Sequence, residues 1–159
     1  MKSYDTLSKI AEYACRLFIG AERERLYLLL FNNRMNMIDC AFVSEGAVNS
    51  SLVHVRRMTE LALLKKASSV VVVHNHPDGL AVPSSNDLAV TETLCQAFET
   101  LNIFMLEHLV VADDRVCPIL HQKRKSIRFP YQQKEIESCF LEKFYDIESE
   151  EWRCPPFIL

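Results

Sequence analysis

The run Ser69-Val70-Val71-Val72-Val73 constrains the fold more than any other stretch of this chain. It is short, β-branched and apolar at successive positions, so both alternating sets of side chains demand cover and the segment is expected as a strand buried on both faces. A sheet covered on both faces needs helices on each side, which points to an α/β fold, a mixed β-sheet sandwiched by helices. His74 and His76 follow two residues apart and therefore project to the same side of the strand end. Pro77, Asp78, Gly79 and Pro83 then force a loop, and Ser84 opens an apolar-periodic segment (Leu88, Leu94, Cys95, Phe98, Leu101) that reads as a helix. Its first turn carries Asp87 back toward the histidines.

Two imidazoles and one carboxylate suit a tetrahedral Zn²⁺ that keeps its fourth position open for water, the arrangement of a catalytic site. The expected chemistry is metal-assisted hydrolysis. Simpler readings stand beside it. Ser84-x-x-Asp87 also fits a capping box with Asp in place of the usual Glu or Gln, in which Asp87 binds backbone amides. A histidine at a strand end is more often a hydrogen-bonded polar residue than a ligand. What favours the metal is co-occurrence: H-x-H, a Gly/Pro loop, then Ser and Asp at fixed offsets, beyond the carboxyl end of a buried strand where ligands of α/β sheets bind.

His74, His76, Ser84 and Asp87 together match H-x-H-x(7)-S-x(2)-D, and the chain here resembles the JAB/MPN metalloprotease superfamily. The resemblance is greater to its RadC-like branch. His74-Asn75-His76-Pro77 with Pro83-Ser84 and Asp87 is similar to that branch's longer signature. Val48-Asn49-Ser50-Ser51-Leu52-Val53-His54 and Glu107-His108-Leu109-Val110-Val111 are similar to two further segments of it. The likeness spans roughly Glu24 to Val116. It departs at His54-Val55-Arg56-Arg57, where a proline and an acid are lost, and at Asp78, where the branch usually has Ser. It implies the three-layer JAB/MPN architecture, which is cytidine-deaminase-like, a zinc ion held by His74, His76 and Asp87, and a peptidase or isopeptidase acting on a peptide or protein substrate.

The resemblance also implies a glutamate base just before the first strand after the N-terminal helix. Aligning strand to strand places it at Glu24, with Glu22 and Glu45 as the other acids near that boundary. Ser84 would hydrogen-bond the oxyanion, in competition with its part as a helix cap. His108, in an apolar strand, reads as a buried neighbour of the site rather than a ligand; His54 and Asp78 are weaker candidates still. RadC proteins carry an N-terminal helix-hairpin-helix region, and with about two dozen residues before the first strand that DNA-binding part is expected to be absent.

Composition bounds the alternatives. The chain has 159 residues, 49% of them hydrophobic, enough for one core, and a net charge of -3 that gives no general attraction to nucleic acid or membrane. No apolar run approaches the roughly 20 residues of a membrane span, and Met1-Lys2-Ser3-Tyr4-Asp5 lacks a signal-peptide pattern, so a cytoplasmic location is expected. Cys15, Cys40, Cys95, Cys117, Cys139 and Cys154 are scattered with no C-x-x-C pair, which suits reduced, mostly buried thiols. A zinc nucleobase deaminase is disfavoured because neither H-x-E nor P-C-x-x-C occurs. A second reading is a DNA-associated accessory or binding protein of mobile elements with a structural or vestigial metal site, drawing on the basic cluster Lys123, Arg124, Lys125 and Arg128; a metal-dependent nuclease is a third. Self-association is left open.

Apolar spacing at Leu7, Ile10, Ala11, Ala14, Leu17 and Phe18 predicts a helix ending near Gly20. Strands are expected over 26–31, 37–43 and 103–111, with a short edge partner over 116–120 and a second helix through Met58, Leu61, Ala62 and Leu64. The domain is taken as residues 1–120, followed by a charged tail over 121–159. In that tail Ile136, Phe140, Leu141 and Phe144 predict a helix around Gln132 to Tyr145, and the charge runs read as solvated surface.

Overall fold

The computed structural model describes residues 2–46, 52–124, 135–146 and 152–154. A six-stranded mixed sheet forms its centre, in the order β2-β1-β3-β4-β5-β6. The strands are β1 (Arg25–Phe31), β2 (Met37–Glu45), β3 (Ser69–Asn75), β4 (Phe104–Ala112), β5 (Arg115–Pro118) and β6 (Trp152–Arg153). Only β3 and β4 run parallel; every other neighbouring pair is antiparallel. The helices are α1 (Leu7–Leu17), α2 (Leu52–Leu64), α3 (Ser85–Thr100), α4 (Ile119–Arg124) and α5 (Glu135–Phe144). None of the described helices is long and apolar enough to cross a membrane.

The valine run is buried at every position of β3, and its two faces feed two cores. Val71 and Val73 join Leu7, Ile10 and Ala14 of α1 and Phe144 of α5. Val70 and Val72 join Met58 and Ala62 of α2 and Leu94 and Phe98 of α3. Burying each valine contributes about 1.5–3 kcal/mol, which is why a β-branched run with no polar face settles at the middle of the sheet. Helix α1 begins where the Thr6 hydroxyl accepts from the Lys9 amide, and the chain turns out of it at Gly20, whose φ of +75° suits glycine.

Two expectations change in detail. Residues Ile119 and Leu120 open α4 instead of extending a strand, and β5 is no edge, because β6 pairs along its far side. On α3 the buried stripe is Asp87, Val90, Thr91, Leu94, Cys95 and Phe98, while Leu88 and Leu101 are partly exposed. The true stripe keeps helical spacing but includes two polar residues, and those two face the site.

The end of the chain reaches the core. Phe144 is wholly buried, and Tyr145 donates to Glu107 Oε2 at 2.5 Å. Glu107 Oε1 accepts from the His108 and Leu120 amides at 2.9 and 2.7 Å. Arg124 donates to the Tyr145 hydroxyl at 2.6 Å, to Met105 O at 2.7 Å and to Leu106 O. Its guanidinium is therefore committed inside the fold, against the expectation of a solvated basic cluster; Lys125 and Arg128 lie outside the described residues. The helix expected from Gln132 is described from Glu135.

Candidate metal centre

His74 and Asn75 end β3, and His76 follows with its amide bonded to Val111 O at 2.8 Å. The loop beyond then folds back on the His76 ring. Leu80 N donates to Asp78 Oδ1 at 3.1 Å and Gly79 N to His76 O at 3.1 Å, and this tight turn presents Leu80 O to His76 Nδ1 at 2.9 Å. Gly79 has a φ of +87°, a backbone conformation that suits glycine.

The capping box and the metal cluster are both formed, by the same residues. Asp87 N donates to Ser84 Oγ at 3.0 Å and Ser84 N to Asp87 Oδ2 at 2.9 Å, which starts α3. The carboxylate so fixed lies 3.2 Å from His74 Nε2 through Oδ1 and 3.1 Å from His76 Nε2 through Oδ2. The two Nε2 atoms are 3.1 Å apart. Among the described residues, His74, His76 and Asp87 are the His, Cys, Asp or Glu group whose ligand atoms converge closely enough to share an ion.

The donor set fits zinc. A carbonyl oxygen can only accept, so His76 Nδ1 carries its proton, and the neutral ring turns the Nε2 lone pair toward the cluster. Ligand atoms around a tetrahedral zinc with bonds of about 2.0–2.2 Å stand about 3.3–3.6 Å apart, close to the separations here. The field is right as well. Burial alone would raise the Asp87 carboxyl, but the His74 and His76 rings beside it outweigh that effect and hold the group well below the usual carboxylate range. Asp87 is thereby kept as the carboxylate, the form that ligates a cation. Asp87 in turn raises His76 above an ordinary imidazole, against the opposing effect of burial, with Leu80 O and the charge of Glu24 adding to it.

Glu24 sits immediately before β1, half-buried, and its charge is felt at His76. The β1–β3 register sets Leu26 against His74, and continuing it by two residues puts Glu24 across from His76. Glu22 is exposed, and Glu45 is exposed and paired with Arg25 at 3.4 Å. Ser84 is exposed, and its cap uses an oxygen lone pair, so the hydroxyl proton is left for a further acceptor. Asp78 is spent on the Leu80 turn. His54 is half-buried on α2 and does not join the cluster; Val48 to Ser51 lie outside the described residues.

Behind the cluster, His108 Nε2 approaches His74 Nδ1 at 2.8 Å, and Thr91 Oγ1 approaches His108 Nδ1 at 2.6 Å. Burial, reinforced by His74, keeps His108 well below the usual imidazole range and therefore neutral at pH 7. Asn75 and Thr91 are absent from the sequence-based set. Thr91 could have been found one helical turn after Asp87 on the same face, and Asn75 by its place between two ligands with its side chain on the opposite face. A cleft of about 210 Å³ opens beside His76, bordered by Phe18, Ile19, Ala21, Asn75 and Asp113.

A family model described as the RadC-like JAB domain matches residues 4–124. Among curated proteins, the chain is 36% identical over 105 residues to a UPF0758 protein of Shewanella pealeana, covering 66% of this chain and 47% of that protein. A UPF0758 protein of Finegoldia magna is 33% identical over 105 residues, with the same coverage. One from Methanococcoides burtonii is 36% identical over 94 residues, covering 59% of this chain and 41% of its own length. The chain thus spans about half the length of the curated relatives it matches. With the family match reaching from just before α1 through α4, and the converging His74, His76 and Asp87 within it, this chain belongs to the RadC-like JAB domain family.

Proposed function

We propose that this chain is a zinc-dependent hydrolase of the JAB/MPN type that cleaves amide bonds, as a peptidase or isopeptidase, with water as the nucleophile. The observation that carries the reading is the convergence of three acceptor groups, His74 Nε2, His76 Nε2 and the Asp87 carboxylate, at the carboxyl end of β3 beside a half-buried glutamate.

His74, His76 and Asp87 would hold the ion, which when bound lowers the pKa of water to about 7 and polarises a carbonyl. Glu24 takes the proton of the attacking water and returns it to the leaving amine. Its position just before β1, outside the converging group His74, His76 and Asp87, fits a base that serves the water. Ser84 donates its free hydroxyl proton to the carbonyl oxygen as charge develops there, while its oxygen continues to cap α3. A DNA-associated role loses support from Arg124, whose guanidinium is bound to backbone carbonyls and Tyr145. Among the described residues, Cys15, Cys40, Cys95, Cys117 and Cys154 form no disulfide, which suits a reducing, cytoplasmic setting.

The test is elemental analysis of the purified protein together with cleavage of fluorogenic peptide and isopeptide panels, beside single- and double-stranded oligonucleotides. The expected result is about one zinc per chain and chelator-sensitive cleavage of an amide substrate. Absence of any bound metal, or cleavage confined to oligonucleotides, would overturn the reading.

A further inference from the structure

A line of hydrogen bonds leaves the metal cluster at His74 and returns to it at Asp87. His74 Nδ1 meets His108 Nε2 at 2.8 Å, His108 Nδ1 meets Thr91 Oγ1 at 2.6 Å, and Thr91 Oγ1 donates to Asp87 O at 2.7 Å. The three side chains are 1%, 2% and 0% exposed, so each polar atom must be satisfied by the next. With Thr91 donating to Asp87 O, that requirement gives one order of donors along the line. A threonine hydroxyl has one proton, and here it goes to the Asp87 carbonyl. Thr91 can then only accept from His108, which places the His108 proton on Nδ1. A neutral imidazole has no second N–H, so His108 Nε2 is an acceptor and His74 Nδ1 is its donor. The remaining nitrogen of His74, Nε2, is left with its lone pair pointed at the cluster.

We propose that Thr91 and His108 are positioning residues that hold His74 as its Nδ1–H tautomer and so reserve Nε2 for the metal. The proposal rests on the metal-centre reading above and adds to it the device that prepares one of its ligands. His76 needs no such relay, because Leu80 O sets its tautomer directly. His74, deeper and out of reach of the loop, has no backbone carbonyl at Nδ1, and His108 stands in for one. Polarity matters. Were the Thr91 proton turned toward His108 instead, the order of donors would reverse along the whole line and the His74 proton would sit on Nε2, where the ion must bind. The Asp87 carbonyl opposes this by accepting the Thr91 proton, so one residue would supply both a ligand and the anchor that orients another ligand.

The experiment compares the parent with Thr91→Val, Thr91→Ser and His108→Phe, each purified metal-free. Zinc affinity is read by competition with a chromophoric chelator, and long-range nitrogen–proton correlation spectra of the imidazole rings report the tautomer of His74. Thr91→Val removes the acceptor at constant shape, so His108 is freed to reverse. Zinc affinity should fall by about 10–100-fold in Thr91→Val and His108→Phe and stay within about two-fold of the parent in Thr91→Ser, which keeps the hydroxyl. The metal-free parent and Thr91→Ser should show His74 as Nδ1–H, and Thr91→Val should show Nε2–H. A change in folding alone would not move that signature. Parent-like affinity in Thr91→Val, or Nε2–H on His74 in the parent, would overturn the relay. Failure of the parent to take up zinc while His74 is Nδ1–H would sink the metal reading and leave the relay standing.

Discussion

Asn75 clasps the backbone on both sides of Glu24. Its Oδ1 accepts from Arg25 N at 2.6 Å and its Nδ2 donates to Arg23 O at 3.1 Å, so the residue between the two histidine ligands also fixes the segment that carries the proposed base. Asn75→Ala should leave zinc binding intact, lower stability by about 1–3 kcal/mol through unpaired buried groups, and slow hydrolysis, because Glu24 loses its register with His76. Metal content, urea unfolding and turnover of the variant check the three parts separately. Unchanged turnover would mean that Glu24 is held by something else or is not the base.

Glu24→Gln should retain zinc and fold while turnover falls by a factor on the order of 10²–10⁴. Asp87→Asn and His74→Ala should lose the metal, because a neutral amide ligates poorly and an alanine does not ligate at all. The comparison needs only elemental analysis beside one assay. Zinc loss in Glu24→Gln would move that residue from base to ligand.

Ser84 has two proposed duties that separate by substitution. Ser84→Gly should cost only about a few tenths of a kcal/mol in stability, since glycine is tolerated at a helix start, whereas Ser84→Ala should cost about 0.5–2 kcal/mol. Both remove the hydroxyl, so turnover should fall equally in the two, by about 10²–10³-fold. If activity instead tracked stability across the pair, the hydroxyl would be a cap and nothing more.

Glu107 gives a pH dependence. Burial holds its carboxyl above the usual range against the pull of Arg124, the Tyr145 hydroxyl and two backbone amides. The folded state therefore binds this proton more tightly than the unfolded state does, and the contribution is present below the unfolded value near 4.5 and lost as pH rises through the higher folded one. Urea midpoints of the parent minus those of Glu107→Gln, followed from pH 4 upward, should decline across that window. A flat difference would show that the carboxyl titrates normally.

The C-terminal helix is part of the core. Phe144→Ala should destabilise the protein by about 3–5 kcal/mol, the cost of truncating a buried aromatic ring. Limited proteolysis of the parent should spare α5, and rapid trimming from 135 onward with an undiminished melting temperature would contradict the packing seen at Tyr145 and Glu107.

Features encoded by neighbouring residues were legible in the sequence, and features made by distant segments were not. The valine run announced β3 because four β-branched residues leave few other choices, and His74, His76, Ser84 and Asp87 were found because their offsets are local. The capping box and the convergence on His74 and His76 proved compatible, since a carboxylate has enough lone pairs to face a backbone amide and two imidazoles at once. Thr91 was passed over because threonine on a helix face carries no signal until its partner on β4 is known. The two residues of β6 are too few to show a period, and the acid at Glu107 gave no hint that Tyr145 and Arg124 would come to it from beyond β4. Leu88 was placed in the buried stripe by hydrophobicity alone, although the face it lies on turns partly to solvent.

The shared use of Asp87 would tie the first turn of α3 to the state of the proposed ion. When the carboxylate is drawn toward a cation, the Ser84 amide it accepts from is held with it, and when the cation leaves, the hydrogen bonds that begin the helix lose a restraint. Metal occupancy would thus be coupled to the start of the helix, and slowed hydrogen exchange at the amides of Ser84 and Asp87 would register uptake of a spectroscopically silent metal without any substrate being known.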